Sequence, residues 1–144
     1  MTKYYIPEKI PHNSEILKNK IIINKSVILK EDDIIIVGKE YNLTILAEVK
    51  FTIKKIVNYG KLENAGDICV NTLNNYGFIN NVDLLIVNGG DLNNEGIIEN
   101  YCFLYLLRAR KIYNKKDIKN FYYTGGIVLM DEKKLTGKKI KNYF

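Results

Sequence analysis

Few side chains in this sequence are equipped for chemistry, and their spacing limits what that chemistry is. Six acids (Glu63, Asp67, Asp83, Asp91, Glu95 and Glu99) fall within residues 57–100, where Lys61 is the one basic residue. Two carboxylates about 5–9.5 Å apart would suit glycoside hydrolysis. Any such pair has to be assembled from separate segments, and no His or Arg accompanies the acids in that stretch. The spacing favours a solvated acidic face, so no catalytic residue is assigned. His12 stands beside Pro11 with no Ser or Cys at a spacing that would make it a nucleophile's base. One histidine and two cysteines without a CxxC predict neither a metal site nor a disulfide scaffold. Gly89-Gly90 and Gly125-Gly126 lack the strand-to-helix setting of a phosphate loop, and no cofactor is expected.

Two surfaces remain as candidates. Tyr59, Tyr76 and Tyr101 each follow an asparagine and read as a single column, which makes them a candidate glycan-facing ladder. Lys133, Lys134, Lys138, Lys139 and Lys141, with Tyr143 and Phe144, would suit nucleic acid, because lysines neutralise phosphates and aromatics stack on bases. Lysine is a weak clue here. The chain holds 20 Lys against 2 Arg alongside 22 Ile and 18 Asn, the signature of AT-rich coding, so nucleic acid is an unlikely partner on this reading.

What positions these residues is an internal repeat. The strings NYGKLEN, NYGFINN and NEGIIEN begin at Asn58, Asn75 and Asn94, at offsets of 17 and 19 residues. NKKDIKN at Asn114 keeps the asparagines and the central aliphatic residue, with Lys116 in place of glycine. Four columns follow: Asn58/Asn75/Asn94, Gly60/Gly77/Gly96, Leu62/Ile79/Ile98/Ile118 and Asn64/Asn81/Asn100. A unit this short is below the length of helical solenoid repeats, and its Asn, Gly and β-branched content opposes helix. Alternation inside each motif has period two, as for strands with one buried face. Asparagine tolerates the backbone angles of tight corners, and stacked amides can bond from one level to the next. The expected fold is all-β: a single-stranded parallel β-helix of about five or six coils. Leu62, Ile79, Ile98 and Ile118 form its core stack, and the six asparagines form two structural ladders.

The strings LENAGDI, LNNYGFINN and LNNEGIIEN resemble the Asn-Gly repeats of filamentous-haemagglutinin-type and autotransporter β-helices over about residues 57–120. The right-handed form is what that resemblance implies, since the aliphatic columns break the strict hexapeptides of left-handed helices. The chain also looks like the short Asn- and Ile-rich β-helical proteins of large DNA viruses of amoebae and their satellite viruses. Residues 1–20 read as an N-terminal arm or cap, 21–120 as the β-helix and 121–144 as a C-terminal cap or oligomerisation segment with a basic tail.

The 144 residues, 47% apolar, make one domain with enough material for a core. The longest apolar run, Tyr101 to Leu107, is far below the roughly 20 residues of a membrane helix, and no basic-then-apolar leader opens the chain. The expectation is a non-catalytic structural or interaction solenoid, plausible in a virion or the host cytoplasm. A glycan-binding or vestigial polysaccharide-cleaving β-helix is the alternative, and a nucleic-acid-associated protein the second alternative. Apolar residues 121–130 need covering, so a homo-oligomer is expected, a trimer ahead of a dimer, held through residues 101–130 and one flank.

Overall fold

Short runs of alternating apolar and polar residues, closed by Asn, Gly or Lys, make strands of two to nine residues. The computed structural model describes residues 2–6, 9–11, 14–28 and 33–144. His12, Pro7 and Leu29 lie outside the described residues. The strands in chain order are β1 (Lys3–Ile6), β2 (Ser14–Leu17), β3 (Lys20–Ile23), β4 (Val27–Ile28), β5 (Ile34–Val37), β6 (Asn42–Ile45), β7 (Lys50–Asn58), β8 (Lys61–Asn64), β9 (Asp67–Asn75) and β10 (Phe78–Asn81). They continue with β11 (Leu84–Val87), β12 (Leu92–Asn94), β13 (Ile97–Asn100), β14 (Phe103–Tyr105), β15 (Ile112–Asn114), β16 (Asp117–Phe121), β17 (Ile127–Leu129), β18 (Leu135–Gly137) and β19 (Lys141–Tyr143). Two three-residue 3-10 turns, Tyr122–Thr124 and Glu132–Lys134, are the helical content of the described residues.

Pairing is parallel between successive coils, and the result is a β-solenoid of about six turns with three faces. The first face stacks β3, β6, β8, β10, β13, β16 and β19. The second stacks β4, the first half of β7, the first half of β9, β11, β14 and β17. The third stacks β1, β5, the second halves of β7 and β9, β12, β15 and β18. The register on the first face joins Leu62 to Ile79, Ile79 to Ile98 and Ile98 to Ile118, the column expected from the repeat. All four residues are fully buried. The second face contributes Phe51, Ile68, Leu85 and Leu104, and the third Ile35, Ile56, Leu73, Leu92 and Ile112, all likewise buried. Each such side chain contributes roughly 1.5–3 kcal/mol relative to exposure, so the three stacks carry the hydrophobic stability of the fold.

The coils lengthen at chosen places. On the first face the offset is 17 residues from β8 to β10, 19 from β10 to β13 and 20 from β13 to β16. Through these coils the corners that follow the ladder asparagines stay at two residues, Tyr59-Gly60, Tyr76-Gly77 and Glu95-Gly96 on one side and Ala65-Gly66, Val82-Asp83 and Tyr101-Cys102 on the other; the corner after Asn120 is longer, with Ile127 resuming the second face. The corner between the second and third faces absorbs the difference. It is a continuous bend inside β7 and β9, then a loop at 88–91 and a longer one at 106–111.

The solenoid runs past both boundaries expected from the repeat. β1 pairs with β5, so residues before 21 already belong to the third face. After Asn120, β17, β18 and β19 pair in parallel with β14, β15 and β16, forming a further coil rather than a separate segment. The reason is in the pattern: Val128, Leu135 and Asn142 fall in register with Leu104, Ile112 and Asn120 despite a longer coil.

Candidate functional site

The asparagines hold the solenoid's polar interior. Asn58, Asn75, Asn94 and Asn114 line one corner, and Asn64, Asn81, Asn100 and Asn120 the other; all eight are buried. In the first ladder Nδ2 of each residue donates to Oδ1 of the next at 2.9 Å. In the second the corresponding bonds are 2.9, 2.8 and 2.9 Å, and Asn120 continues to Asn142 at 3.0 Å. The same amides donate to a carbonyl of the next coil, Asn58 to Phe78 at 3.0 Å and Asn81 to Phe103 at 2.9 Å, and so bridge levels twice. Every rung points the same way, with N–H2 toward the C-terminal end. The first rung therefore lacks a donor: Asn58 Oδ1 is buried without a partner among the described residues, because Val37 occupies the level before it. In the second ladder the Gly66 N–H fills that gap at Asn64 Oδ1, at 3.1 Å.

The acids do not converge. Glu63 registers with Asn80 and Asn80 with Glu99, so the two carboxylates sit two coils, about 10 Å, apart. Glu63 accepts from Lys61 at 2.9 Å and from Asn42 at 3.0 Å. Burial acts to raise its carboxyl, but these bonds and the Lys61 and Lys20 charges outweigh it and hold it below the ordinary carboxylate value. Glu99 accepts the Tyr101 hydroxyl at 2.9 Å. Burial first, and this bond second, push the Tyr101 phenol up to about 12. Asp91 is gripped by both arms of Arg110, at 2.7 and 2.9 Å, which lowers its carboxyl. Asp117 is held by Lys141 at 2.9 Å. Between Glu63 and Glu99, Asn80 Oδ1 is buried with no donor among the described residues. No group of three His, Cys, Asp or Glu side chains among them is placed to hold a metal ion.

Cys69 and Cys102 are free and half-buried. Cys69 registers with Ile86, whereas Cys102 precedes Phe103, the register partner of Leu84, so the thiols lie in different columns.

The tyrosines form two stacks rather than one column. Tyr59 and Tyr76 follow the first ladder, stacked at 5.0 Å and 11° between planes, and both are exposed. Tyr101 follows Asn100 of the second ladder and stacks instead on Phe121 at 4.5 Å, which stacks on Tyr143 at 5.1 Å. Both corners place an aromatic residue directly after Asn, and the motif alone does not say which of the two corners an Asn occupies.

The Tyr59–Tyr76 corner has the more receptive surroundings. A depression of about 520 Å³ lies beside Tyr5, Lys39, Tyr59 and Tyr76, and a second of about 410 Å³ beside Tyr76, Asn93, Glu95, Tyr113 and Lys115. Asn93 donates to Asn74 at 2.8 Å in the adjoining outward column. Tyr5, Asn74, Asn93 and Tyr113 were not singled out from the sequence. The signal for the last three was their shared place immediately before a ladder asparagine.

At the basic end, Lys141 is engaged with Asp117, and Lys134 donates to the Leu107 carbonyl at 3.0 Å. No helix among the described residues is long and apolar enough to cross a membrane. No protein-family model matches the chain, and neither the curated proteins nor the solved structures contain a significant match to it.

Proposed function

We propose that the chain is a non-catalytic β-solenoid serving as a rigid structural or interaction module. The observation that carries this reading is where its polar groups are used. The buried amides bond coil to coil, and the best-placed acids (Glu63, Asp91 and Asp117) each face a cation of the scaffold. Flat faces with side chains repeating at about 4.8 Å suit a template for binding rather than a pocket for turnover. The Ile-, Asn- and Lys-rich composition and the resemblance to short solenoids of amoebal viruses support a place in a virion. Two measurements test it. Pectin, alginate and chitin oligomers incubated with the protein should gain no reducing or unsaturated ends; their release, lost in Glu63→Gln or Glu99→Gln, would overturn the reading. Mass spectrometry of purified particles should find the chain at structural stoichiometry.

Glycan binding without cleavage is the second reading, favoured by the exposed Tyr59–Tyr76 stack beside the Asn93 amide and the Glu95 carboxylate. Sugar rings lie against aromatic faces while amides and carboxylates bond their hydroxyls. Binding on a glycan array that disappears in Tyr59→Ala and Tyr76→Ala, with the fold intact, would establish it. Nucleic-acid association is the weaker reading, since Lys134 and Lys141 already have partners.

A further inference from the structure

We propose that the depression beside Gly38, at the open face of the Tyr59–Tyr76 stack, binds a carboxylate-bearing sugar ring, so that the ligand of this corner is an acidic glycan. The inference rests on the glycan-binding reading above and names the class of sugar that site takes. The position that follows the first corner column holds Gly38, Tyr59, Tyr76, Glu95 and Lys115 on five successive levels. Two stacked phenol rings therefore stand between levels that carry no ring, and each outer face of the pair is unpaired in this column. On the Tyr59 side the next level is a glycine, which contributes no side chain where a third ring would fall.

The depression there, about 520 Å³, is lined by Tyr5, Ile36, Gly38, Lys39, Tyr59 and Tyr76. Tyr5 and Tyr59 are each 47% exposed, so a ring bound between them keeps one side in water. A sugar suits both sides. Its C–H face lies on a phenol ring, and its hydroxyl rim stays hydrated or bonds to the phenol hydroxyls. A wholly apolar ring would gain on one side only and leave the other facing water.

Charge selects the kind of sugar. Among the described residues no carboxylate lines this depression, and Lys39 makes no ion pair. The third face beside it has the same sign. Lys3 and Lys55 share one outward column through Ile34, next to the column of Tyr5, Ile36 and Val57. Neither lysine makes an ion pair among the described residues, and no Asp or Glu falls in β1, β5 or the second halves of β7 and β9. The opposite side of the stack is different: in the depression beyond Tyr76, Glu95 and Lys115 face each other at 3.4 Å and cancel. The acidic ring therefore belongs on the Gly38 side. An acidic sugar carries its carboxylate at the ring edge, where a single flexible ammonium can meet it while the ring face stays on Tyr59.

Calorimetric titration of the full chain tests this, with galacturonate, guluronate and sialyl oligosaccharides as acidic probes. The methyl ester of each, together with chitin and galactan oligomers, supplies the neutral rings. The expected result is binding of at least one acidic probe, weakened about tenfold or more by esterification and again by high salt. Tyr59→Ala keeps the circular dichroism spectrum of the parent and lowers that affinity about tenfold or more. Tyr59→Leu, which keeps apolar cover without the ring, does the same if Tyr59→Ala is unfolded. Lys39→Gln brings acid and ester to equal affinity, whereas Lys133→Gln, near the opposite end of the solenoid, changes nothing. Neutral rings that bind through Tyr59 as tightly as the acids overturn the proposal and leave glycan binding standing. No binding of any probe overturns both. Acid binding that survives the Tyr59 variants, or that keeps its preference over the ester in Lys39→Gln, also overturns the proposal, since scattered surface charge would then account for it.

Discussion

Asn81→Ala tests the ladder where it is most completely bonded. Asn81 accepts from Asn64 at 2.9 Å and donates to Asn100 at 2.8 Å, to the Phe103 carbonyl at 2.9 Å and to the Asp83 carbonyl at 3.1 Å. Truncation does not affect these partners equally. Asp83 O keeps the Phe103 N–H at 2.9 Å, and the Asn64 amide keeps the Leu84 carbonyl at 2.7 Å. Asn100 Oδ1 loses its one donor and stays buried, and Asn64 Nδ2 loses one of its level-bridging partners. Two buried polar groups left short, at about 1–3 kcal/mol each, give an expected cost of about 4 kcal/mol. That equals the roughly 2–5 kcal/mol expected for Ile79→Ala in the core stack, so a polar truncation should rival an apolar one. Asn142→Ala, at the exposed end of the same ladder, should cost less than about 1 kcal/mol. Urea unfolding followed by far-UV circular dichroism reads all three. A cost for Asn81→Ala below about 1 kcal/mol, or equal to that of Asn142→Ala, would refute the claim that the interior rungs hold the coils together.

Gly77→Ala should destabilise by about 3 kcal/mol or prevent folding, because a Cβ there runs into the Gly60 carbonyl oxygen of the coil below; thermal melting checks it against Gly125→Ala, where no atom lies near and the left-handed backbone alone costs about 1–2 kcal/mol. Asn80→Lys should stabilise by about 0.5–1 kcal/mol, read as a higher urea midpoint, since it removes a buried acceptor without a donor and sets a cation between Glu63 and Glu99. Tyr101 has its phenol raised to about 12 from an unfolded value of 10.0, so its neutral form contributes stability that is complete below pH about 10 and lost as pH rises through about 12. Unfolding midpoints at stepped alkaline pH should fall more steeply in the native protein than in Tyr101→Phe.

The core and the ladders were legible in the sequence for one physical reason. A parallel stack repeats the same environment at each level, so Leu62, Ile79, Ile98 and Ile118 must share a residue class, and a buried corner bond keeps asking for Asn. The last coil was hidden because its offset grows to 22 residues between Lys119 and Lys141, with two 3-10 turns interrupting the pattern. The tyrosine column was misassigned because the two corners share one local chemistry, asparagine followed by a short turn, and only the register separates Tyr76 from Tyr101. Surface partners such as Arg110 with Asp91 left no trace, since exposed ion pairs impose no periodicity.

The corner between the second and third faces has a consequence for how this chain can change over time. The two asparagine corners keep two residues through the regular coils, and where the corner after Asn120 lengthens, its rung holds because the Asn120 amide donates to the Gly126 carbonyl at 3.0 Å. The third corner carries no rung, and it has already taken loops of four and six residues at 88–91 and 106–111 without disturbing the pairing on either side. Length variation is therefore concentrated at one edge of the triangle, and the asparagine corners depart from two residues only outside the regular coils, as after Asn120. New sequence inserted at that edge would be displayed in a row along the solenoid axis, one segment per coil, while the scaffold beneath stayed in phase.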